Sequence, residues 1–301
     1  MKIAVLSDIH GNLQAFEAVL NDAKDADQII LLGDNVNWGM HSPEVLQRIQ
    51  SKNVQTLKGN HEIMLLDHLT GQAPVEAYTS DSFAPARFWA GQLAGWKEVI
   101  ESWPGTLTLS FSGLPDLYFC HASPRSAFDE ILLKSDSELK ALCQEVKAPF
   151  LFAGHTHRQM LKNLGRKTLC TVGSVGFPVD GTSEASYVML HGQQGKWNIE
   201  FRKTVYDLEA FHHSYHESGF LQQTGVIGTL IYLGALLGRS TLREFGRYRN
   251  RHALERALDL PLLLEFLQHE LTPREIHTLM QNRHTPHEVL QGLKRASSIV
   301  L

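Results

Sequence analysis

Short apolar runs alternate with amphipathic segments over the first 60 residues of the chain. The runs are Ile3–Leu6, Ile29–Leu32 and Val54–Leu57, and such runs are typical of strands buried on both faces of a sheet. The segments between them carry apolar residues three or four positions apart, with Asn12 and Ser42 as predicted helix N-caps. This β-α-β-α-β order predicts an α/β core with parallel strands.

The central part of the chain first turns helical and then strand-like. Between Glu62 and Trp103 we predict helices rich in aromatic residues, which either fill the core or stack on a base of the substrate; the candidates for stacking are Phe83, Phe88 and Trp89. A turn at Gly113–Asp116 and a helix over Glu130–Val146 are also predicted. The remaining predicted strands, of which the last three complete a second set, are Leu107–Phe111, Leu117–Cys120, Phe150–Ala153, Thr168–Val172, Ser186–Leu190 and Trp197–Phe201.

Residues 206–301 show no strand pattern, and we predict that they form a helical C-terminal region after a catalytic domain of residues 1–205. Thr272 and Thr285 each precede a proline and stand three residues before a glutamate, which predicts two helices with capping boxes. The uncharged stretch Gly225–Gly238 is shorter than the roughly 20 residues of a membrane-spanning helix. We therefore expect it to be buried by its own domain or by a second subunit, and not to anchor the chain in a membrane.

Composition restricts the function only coarsely. The chain has 301 residues, of which 43% are hydrophobic and 20% charged, and its formal net charge is -4. It lacks an overall basic field that would attract nucleic acid. The three cysteines form no CxxC pair, so neither a disulfide framework nor a thiolate zinc site is expected. The first apolar run does not resemble a signal peptide, and we expect a cytoplasmic protein.

Five polar motifs come directly after predicted strands. In an α/β sheet the carboxyl ends of the strands meet at one crevice, so these motifs are expected to converge. Aspartate, histidine and asparagine are donors suited to Mn, Fe, Zn or Ni, and seven candidate ligands suit two ions that share a bridging carboxylate. The motifs are Asp8-Ile9-His10, Gly33-Asp34-Asn35, Gly59-Asn60-His61-Glu62, His121 and Gly154-His155-Thr156-His157.

In this combination the motifs resemble the calcineurin-like metallophosphoesterase family over about residues 1–201. The resemblance implies a four-layer sandwich, with two mixed sheets flanked by helices and the C-terminal helical region as an appendage. It implies that one metal is bound by Asp8, His10 and His157, and the other by Asn60, His121 and His155. It further implies that Asp34 bridges both ions and that His61 sits beside the scissile phosphate.

A second stretch, Gly173–Pro178, resembles the small bacterial phosphodiesterase branch of that family. The chain departs from the branch pattern at three positions, because Thr171 and Val172 replace an Asn-Pro pair and Val179 replaces an arginine. If the arginine of the branch contacts substrate, that contact is missing at position 179, and any substrate assignment taken from the branch is weakened accordingly.

These motifs predict two-metal hydrolysis of phosphate esters, preferably diesters or dinucleoside polyphosphates, in a cytoplasmic enzyme with Mn as the first choice of metal. A metal-bridging hydroxide would attack phosphorus, Asp34 would hold both ions, and His61 would assist the leaving group as a general acid. The alternatives are a nuclease acting on short oligonucleotides and a non-catalytic scaffold on the same fold. A small phosphorylated or nucleotide substrate is the expected partner, and a homo-oligomer would form through the C-terminal region.

Two further groups of residues have weaker signals. Arg125 and Arg158 stand close behind the His121 and His157 motifs and are candidates for contact with a substrate phosphate, with surface ion pairs as the alternative. His212, His213 and His216 have the spacing of a metal cluster but lie outside the family motifs. We interpret these three histidines as a solvated helix face.

Overall fold

The computed structural model describes residues 1–52, 54–253 and 257–299, with side chains up to residue 295. Within these ranges ten strands form two five-stranded sheets, which are mixed and flanked by helices. The first sheet contains β1 (Lys2–Leu6), β2 (Gln28–Leu31), β3 (Gln55–Thr56), β9 (Ala185–Gln193) and β10 (Lys196–Thr204). The second sheet contains β4 (Thr106–Phe111), β5 (Leu114–Cys120), β6 (Phe150–Ala153), β7 (Gln159–Leu164) and β8 (Lys167–Val172). The expected four-layer fold is confirmed.

The first sheet has the strand order β10-β9-β1-β2-β3. Strands β1, β2 and β3 pair in parallel, as the β-α-β-α-β pattern predicts. The runs Ser186–Leu190 and Trp197–Phe201, predicted in the second set, belong to this sheet instead, since β9 pairs antiparallel with β1 and β10 pairs with β9. Strand β9 is buried over most of its length, as a central strand of either sheet would be, so its own residues do not reveal which sheet it joins.

The second sheet has the order β4-β5-β6-β8-β7. Strand β7 was not predicted, because its residues include Lys162 and Asn163 and show no apolar run; its pairing with β8 defines it. The turn between β4 and β5 is tighter than predicted, since Gly113 has φ 73° and β5 already begins at Leu114. The predicted helix at Glu130–Val146 is in fact one 3-10 turn, Ile131–Leu133, followed by a helix from Asp136.

Thirteen α-helices complete the described parts of the chain. Those in the first 205 residues are α1 (Leu13–Asp22), α2 (Ser42–Ser51), α3 (Asn60–Thr70), α4 (Val75–Thr79), α5 (Ala84–Leu93), α6 (Lys97–Glu101) and α7 (Asp136–Gln144). Those of the C-terminal region are α8 (Leu208–Glu217), α9 (Phe220–Leu237), α10 (Thr241–Arg251), α11 (Leu260–Glu270), α12 (Pro273–Gln281) and α13 (His287–Ile299). The predicted division at residue 205 falls between these two groups, and residues 254–256, 300 and 301 of the second region lie outside the described residues.

The predicted helices begin within two residues of their expected starts, and the predicted N-cap residue is confirmed in two cases of four. The Asn12 side chain accepts the N–H of Ala15 at 3.0 Å, and Thr272 forms the expected capping box. Ser42 lies inside α2, and its hydroxyl accepts the N–H of Asn37 at 3.0 Å instead of capping the helix. The hydroxyl of Thr285 donates to the carbonyl of Leu279 at 2.7 Å, so it ties α12 to the start of α13.

Three apolar clusters hold the layers together. One fills the space between the two sheets and includes Val5 and Phe119, and another joins α7 to the outer face of the second sheet. The largest lies on the outer face of the first sheet and includes Leu6 of β1 together with Leu233 of α9 and Phe266 of α11. The C-terminal helices therefore share one continuous core with the first sheet.

Helix α9 is, within the described ranges, the one helix long and apolar enough to cross a membrane, judged by length and composition alone. It begins five residues before the apolar stretch Gly225–Gly238, and Gly225 interrupts it with φ 56° and ψ -135°. Buried residues make up 56% of it, and Leu230 and Leu233 are fully buried. In this fold the helix is packed against protein.

Candidate metal centre

The carboxyl ends of five strands carry the predicted ligands, as the sequence pattern requires. Asp8 and His10 follow β1, and Asp34 follows β2. Asn60 and His61 begin α3 after β3, His121 follows β5, and His155 and His157 follow β6. The two sheets thus bring these ligands to one place, which we call the metal centre, although up to 149 residues separate them along the chain.

The backbone of the metal centre is bent into a conformation that L-residues rarely adopt. The φ angle is 55° at Asp8, 48° at His10, 54° at Asp34, 63° at His155 and 55° at His157. Positive φ at non-glycine residues costs free energy and concentrates at functional sites, where the surrounding fold enforces it. The bends turn these side chains out of the strands toward one another.

Two glycines let the second and third strands approach closely beside Asp34. Gly33 has φ 98°, and a Cβ atom on it would lie 2.3 Å from the backbone N of Gly59. A Cβ atom on Gly59 would lie 2.2 Å from Oδ1 of Asp34. The glycines that the sequence places before Asp34 and Asn60 are therefore required by close packing as well as by the turn.

One group of ligand atoms is formed by Asp8, His10 and His157, which offer atoms within 4.8 Å of one another. Nε2 of His10 lies 3.2 Å from Nε2 of His157, and the latter lies 3.4 Å from Oδ1 of Asp8. All three side chains are buried. Two imidazole nitrogens and a carboxylate oxygen that face one another form a donor set for a divalent cation.

A second group adjoins the first and contains Asp34, His121 and His155. Oδ1 of Asn60 lies 2.9 Å from Nε2 of His121 and 2.9 Å from Nδ1 of His155. Oδ2 of Asp34 lies 3.3 Å from Nε2 of His121 and 3.8 Å from Nε2 of His10. Asp34 therefore faces both groups, as a bridging ligand would.

Backbone carbonyls fix the ring orientation of three histidines. Nδ1 of His10 lies 3.3 Å from the carbonyl of Val36, Nδ1 of His121 lies 2.9 Å from that of Leu32, and Nδ1 of His157 lies 2.5 Å from that of Phe177. Because a carbonyl only accepts, Nδ1 donates in each case. Nε2 is therefore the atom that each ring presents to the centre, an arrangement common among histidines that bind metals.

The carboxylates and histidines of the metal centre shift one another's pKa values. Burial works against charge on Asp34, yet the neighbouring histidines hold the pKa of its carboxyl well below its usual value. Burial also works against protonation of His121, yet Asp34 raises the pKa of that ring to about 9. Asp8 and His157 show the same pattern, with the pKa of Asp8 lowered and that of His157 raised. Divalent ions bound here would compete with protons for the nitrogens of these histidines, so metal binding would release protons.

Buried polar atoms without partners supply a test of whether metal ions fit. Oδ1 of Asp8 and Nε2 of His155 are two of several buried side-chain atoms in the described ranges that make no hydrogen bond, and both lie in the metal centre. Orphaned polar atoms of this kind are costly unless a ligand satisfies them. Together with the mixed oxygen and imidazole donors, they show that the residues present fit divalent metal ions.

Glu62 is a functional residue that the sequence reasoning left without a role. Its buried carboxylate accepts the N–H groups of Asp34 at 2.8 Å, Asn35 at 2.7 Å and Gly59 at 2.7 Å. Burial and the neighbouring Asp34 charge raise the pKa of Glu62 to about 7. Its position two residues after Asn60, within the third motif, could have indicated this role, because it places the side chain beside the ends of the strands.

His61 lies beside the two groups of ligands. Its backbone N–H donates to Oδ1 of Asp34 at 2.8 Å, and its ring Nδ1 lies 3.1 Å from Nδ2 of Asn37. The ring meets those of His10 and Trp38 edge-on, with centroids 4.8 Å and 4.9 Å away. Burial lowers the pKa of His61, so its ring is neutral near pH 7.

A cavity of about 250 Å³ opens over the centre. Its floor is formed by five residues of the motifs, namely Asp34, Asn60, His61, His155 and His157. The opposite wall comes from the C-terminal region, through Ile231 of α9 and through Arg239, Leu242 and Arg243 at the turn into α10. Sequence reasoning missed these wall residues because they lie outside every motif, and only the packing of α9 places them there.

The two arginines that were candidates for phosphate contact lie elsewhere. Arg125 is exposed, does not line the cavity, and forms an ion pair with Glu145, whose carboxylate is 2.8 Å from its Nε. Arg158 is exposed at a neighbouring surface hollow that shares Val179 and Arg239 with the cavity.

The histidines of α8 correct a second prediction. His213 is exposed as expected, but His212 is buried, 3.3 Å from the hydroxyl of Tyr232, and its ring stacks on that of His284. His216 bonds the backbone carbonyl of His284 at 3.0 Å. The solvated face was wrong for His212 because α9 and the segment before α13 cover that side of the helix.

The Gly173–Pro178 stretch supports the ligands of the first group. The Ser174 hydroxyl donates to the carbonyl of Asp8 at 2.8 Å and accepts the N–H of Phe177 at 2.8 Å. The Phe177 carbonyl in turn bonds His157. This stretch therefore fixes the backbone of one ligand and the ring of another.

Comparison with known proteins agrees with this geometry. The family model of the calcineurin-like phosphoesterase superfamily domain matches residues 1–195. An uncharacterized protein, MJ0912, of Methanocaldococcus jannaschii is 28% identical over 236 residues, which are 69% of this chain and 88% of that protein.

Two solved structures share the fold. A metallophosphoesterase from Sphaerobacter thermophilus has a TM-score of 0.60 and 23% identity, over 76% of this chain and 99% of that one. Hypothetical protein PH1004 from Pyrococcus horikoshii OT3 has a TM-score of 0.62 and 16% identity, over 75% of this chain and 97% of that one. The chain belongs to the calcineurin-like phosphoesterase superfamily and is a metal-dependent phosphoesterase.

Proposed function

We propose that the chain hydrolyses phosphate esters with two divalent metal ions, and that diesters or dinucleoside polyphosphates are its preferred substrates. The observation that carries this proposal is the pair of adjoining ligand groups that both face Asp34. Asp8, His10 and His157 would hold one ion, and Asn60, His121 and His155 the other. Two ions would neutralise the charge that develops on the phosphoryl oxygens and would activate water.

Mn is the metal we propose first, with Fe, Zn and Ni as alternatives, because the donors mix carboxylate, amide and imidazole groups. A cytoplasmic location is consistent with three cysteines that are free and buried, as expected in a reducing compartment. The proposed oligomer has no further support and stays a prediction.

His61 is the proposed general acid. Nδ2 of Asn37 is a donor and lies 3.1 Å from Nδ1 of His61, so Nδ1 accepts and Nε2 carries the proton. The neutral ring can then donate a hydrogen bond or a proton to the leaving group. Trp38 closes one side of this ring and also stacks on His10, with centroids 4.2 Å apart.

The cavity wall supports an ester with an organic group. Apolar side chains make up much of the cavity lining besides the candidate ligands, including Phe177, Val179, Ile231 and Leu242. Such a surface would cover the organic part of a substrate whose phosphate rests on the floor. It supports esters and nucleotides over inorganic phosphates as substrates.

Metal-dependent hydrolysis of bis(4-nitrophenyl) phosphate and diadenosine tetraphosphate tests the proposal. The purified chain should hydrolyse both after loading with Mn, should lose activity on chelation, and should regain it when Mn is returned. The Asp34→Asn variant serves as the matched negative control. Full activity after chelation, with metal analysis confirming that the protein is metal-free, would refute the proposal, as would inactivity with each of the four metals.

A further inference from the structure

Two arginines line the cavity, Arg239 in the turn between α9 and α10 and Arg243 in the first turn of α10, but their surroundings differ. Arg239 contacts two carboxylates, with Nε 2.9 Å from Glu244 and Nη1 2.5 Å from Glu275. It is therefore held from two sides and ties the turn to α12. Among the described residues, Arg243 pairs with one carboxylate, that of Glu130, at 2.7 Å.

The Arg243–Glu130 pair connects the C-terminal region to the loop that follows β5 and His121. Arg243 lines the wall of the cavity, whereas Glu130 lies in the connection between β5 and α7, nine residues after His121. The charge of Glu130 also acts on His155 at the floor. The pair therefore joins one wall residue of the cavity to the segment that follows His121.

In an exposed ion pair of this kind, another anion can readily replace the carboxylate as the partner of the arginine. The side chains of Arg243 and Glu130 are 39% and 43% exposed, and such pairs contribute little to stability because water screens them. A phosphate group offers an arginine several charged oxygens in a bidentate geometry. An anionic group in the cavity would therefore displace Glu130 from Arg243.

From these contacts we propose that Arg243 binds a second phosphate of the substrate, next to the phosphoryl group that reacts at the metal centre, and that Glu130 occupies Arg243 until the substrate arrives. This inference rests on the proposed function and narrows its substrate class to phosphate esters that carry an adjacent second phosphate. Arg243 is thus a residue for substrate specificity contributed by the C-terminal region.

The test compares adenosine 5′-diphosphate with adenosine 5′-monophosphate as competitive inhibitors of bis(4-nitrophenyl) phosphate hydrolysis. The ratio of the two inhibition constants is the readout, because a change in folded fraction acts on both inhibitors alike, and both are compared at the same concentration of free Mn. The wild type should bind the diphosphate at least about fivefold more tightly. In Arg243→Gln the ratio should fall toward one, and in Glu130→Gln it should rise, because Arg243 is then released.

The opposite changes of the ratio expected in Arg243→Gln and Glu130→Gln distinguish phosphate binding by Arg243 from a purely structural role of the ion pair. If the pair were only a structural tie, the two variants would lose the same contact and shift the ratio together, or not at all, and either result overturns the inference. The double variant should behave like Arg243→Gln. The matched control is Arg251→Gln on the same helix, which breaks an ion pair with Glu270 and should keep the wild-type ratio.

The inference can fail independently of the proposed function. If the metal-loaded wild type hydrolyses no ester, the proposed function is rejected first. If it does hydrolyse the diester but Arg243→Gln keeps the preference for the diphosphate, only the inference about Arg243 is rejected. Should Arg243→Gln fail to fold, the direction of the change in Glu130→Gln decides: a rise supports the inference, and a fall or no change overturns it.

Discussion

The carboxylate of Glu62 accepts the backbone N–H of Asp34 at 2.8 Å, across 28 positions of sequence. The same oxygen accepts the N–H of Gly59, and the other oxygen accepts that of Asn35. One buried side chain thereby joins the end of β2 to the start of α3. The bridging candidate Asp34 and its neighbour Asn60 are held in place by a residue that touches neither side chain in these bonds.

Glu62→Gln should weaken metal binding. An amide NH2 in place of one carboxylate oxygen would point at a backbone N–H, so at least one of the three bonds is lost and the Asp34 backbone shifts. Loss of such supporting contacts typically costs about 10–100-fold in metal affinity, and calorimetric titration with Mn measures it. Glu76→Gln, at an exposed position in α4, is the matched control. An unchanged affinity in Glu62→Gln would contradict this role.

Asp34→Asn and His61→Ala should affect the centre differently. Asp34→Asn removes a charge that faces both ligand groups, so we expect impaired binding of both ions. His61→Ala should keep both ions but slow turnover by about 10²–10⁴-fold, the usual contribution of general acid catalysis. Metal content by elemental analysis and kcat for bis(4-nitrophenyl) phosphate test both. If His61→Ala also emptied the centre, His61 would be a ligand, a role that its closeness to His10 and Asp34 allows.

The location of the metal centre can be predicted from the sequence because the physics that places it is local. Each candidate ligand comes just after a strand, and the carboxyl ends of parallel strands meet at one edge, so Asp8 and Asp34 had to converge. His155 follows β6 of the second sheet and joins them because the two sheets pack against each other. The bends also have a local signal, since glycines precede Asp34 and His155. Residues at the carboxyl ends of parallel strands can thus be assigned to one edge of their own sheet, whereas the meeting of the two sheets depends on their packing.

Features that depend on long-range packing could not be predicted in the same way. The residues of the runs that form β9 and β10 do not indicate which of the two sheets the strands join. The pairing of β9 with β1, and of β10 with β9, assigns them to the first sheet. The sequence predicts a solvent-exposed helix face for His212, whereas the side chain is buried because Tyr232 packs against it. Arg243 is an ordinary helical arginine in the sequence and reaches the cavity only because α9 packs on the first sheet. In each case the partner lies in a distant part of the chain.

His212 should make the fold sensitive to acid. Burial, assisted by the nearby His284 and His216, lowers the pKa of His212 to about 4, whereas Glu209 acts in the opposite direction. Above about pH 6.5 the ring is neutral in both the folded and the unfolded chain. Between pH 6.5 and about 4 only the unfolded chain takes up the proton, so stability falls over this window, by at most about 1.4 kcal/mol per pH unit.

Urea denaturation at several pH values tests the role of His212. In His212→Gln the loss of unfolding free energy between pH 6.5 and 4.5 should be smaller than in the wild type. His213→Gln, at an exposed neighbouring position, should keep the wild-type dependence. Parallel curves for the wild type and His212→Gln would show that His212 titrates normally in the folded chain.

Removal of residues 207–301 should expose an apolar face and cause aggregation. The C-terminal helices share their core with the first sheet, as in the packing of Phe220 against Phe88, with ring centroids 5.1 Å apart. They also brace the metal centre, since the Tyr215 hydroxyl donates to the carbonyl of Trp38 at 2.7 Å, and Trp38 stacks on His10. Any soluble truncated protein should therefore bind a hydrophobic dye, unfold at a lower temperature and show a raised KM, because one wall of the cavity is gone. A truncated chain that stays monodisperse and as stable as the full chain would show that the C-terminal region is independent of the catalytic domain.

The full-length chain should not bind to lipid membranes, because helix α9 is packed inside the protein. Flotation with lipid vesicles tests this, and a chain that floats with the vesicles would show that α9 leaves the core.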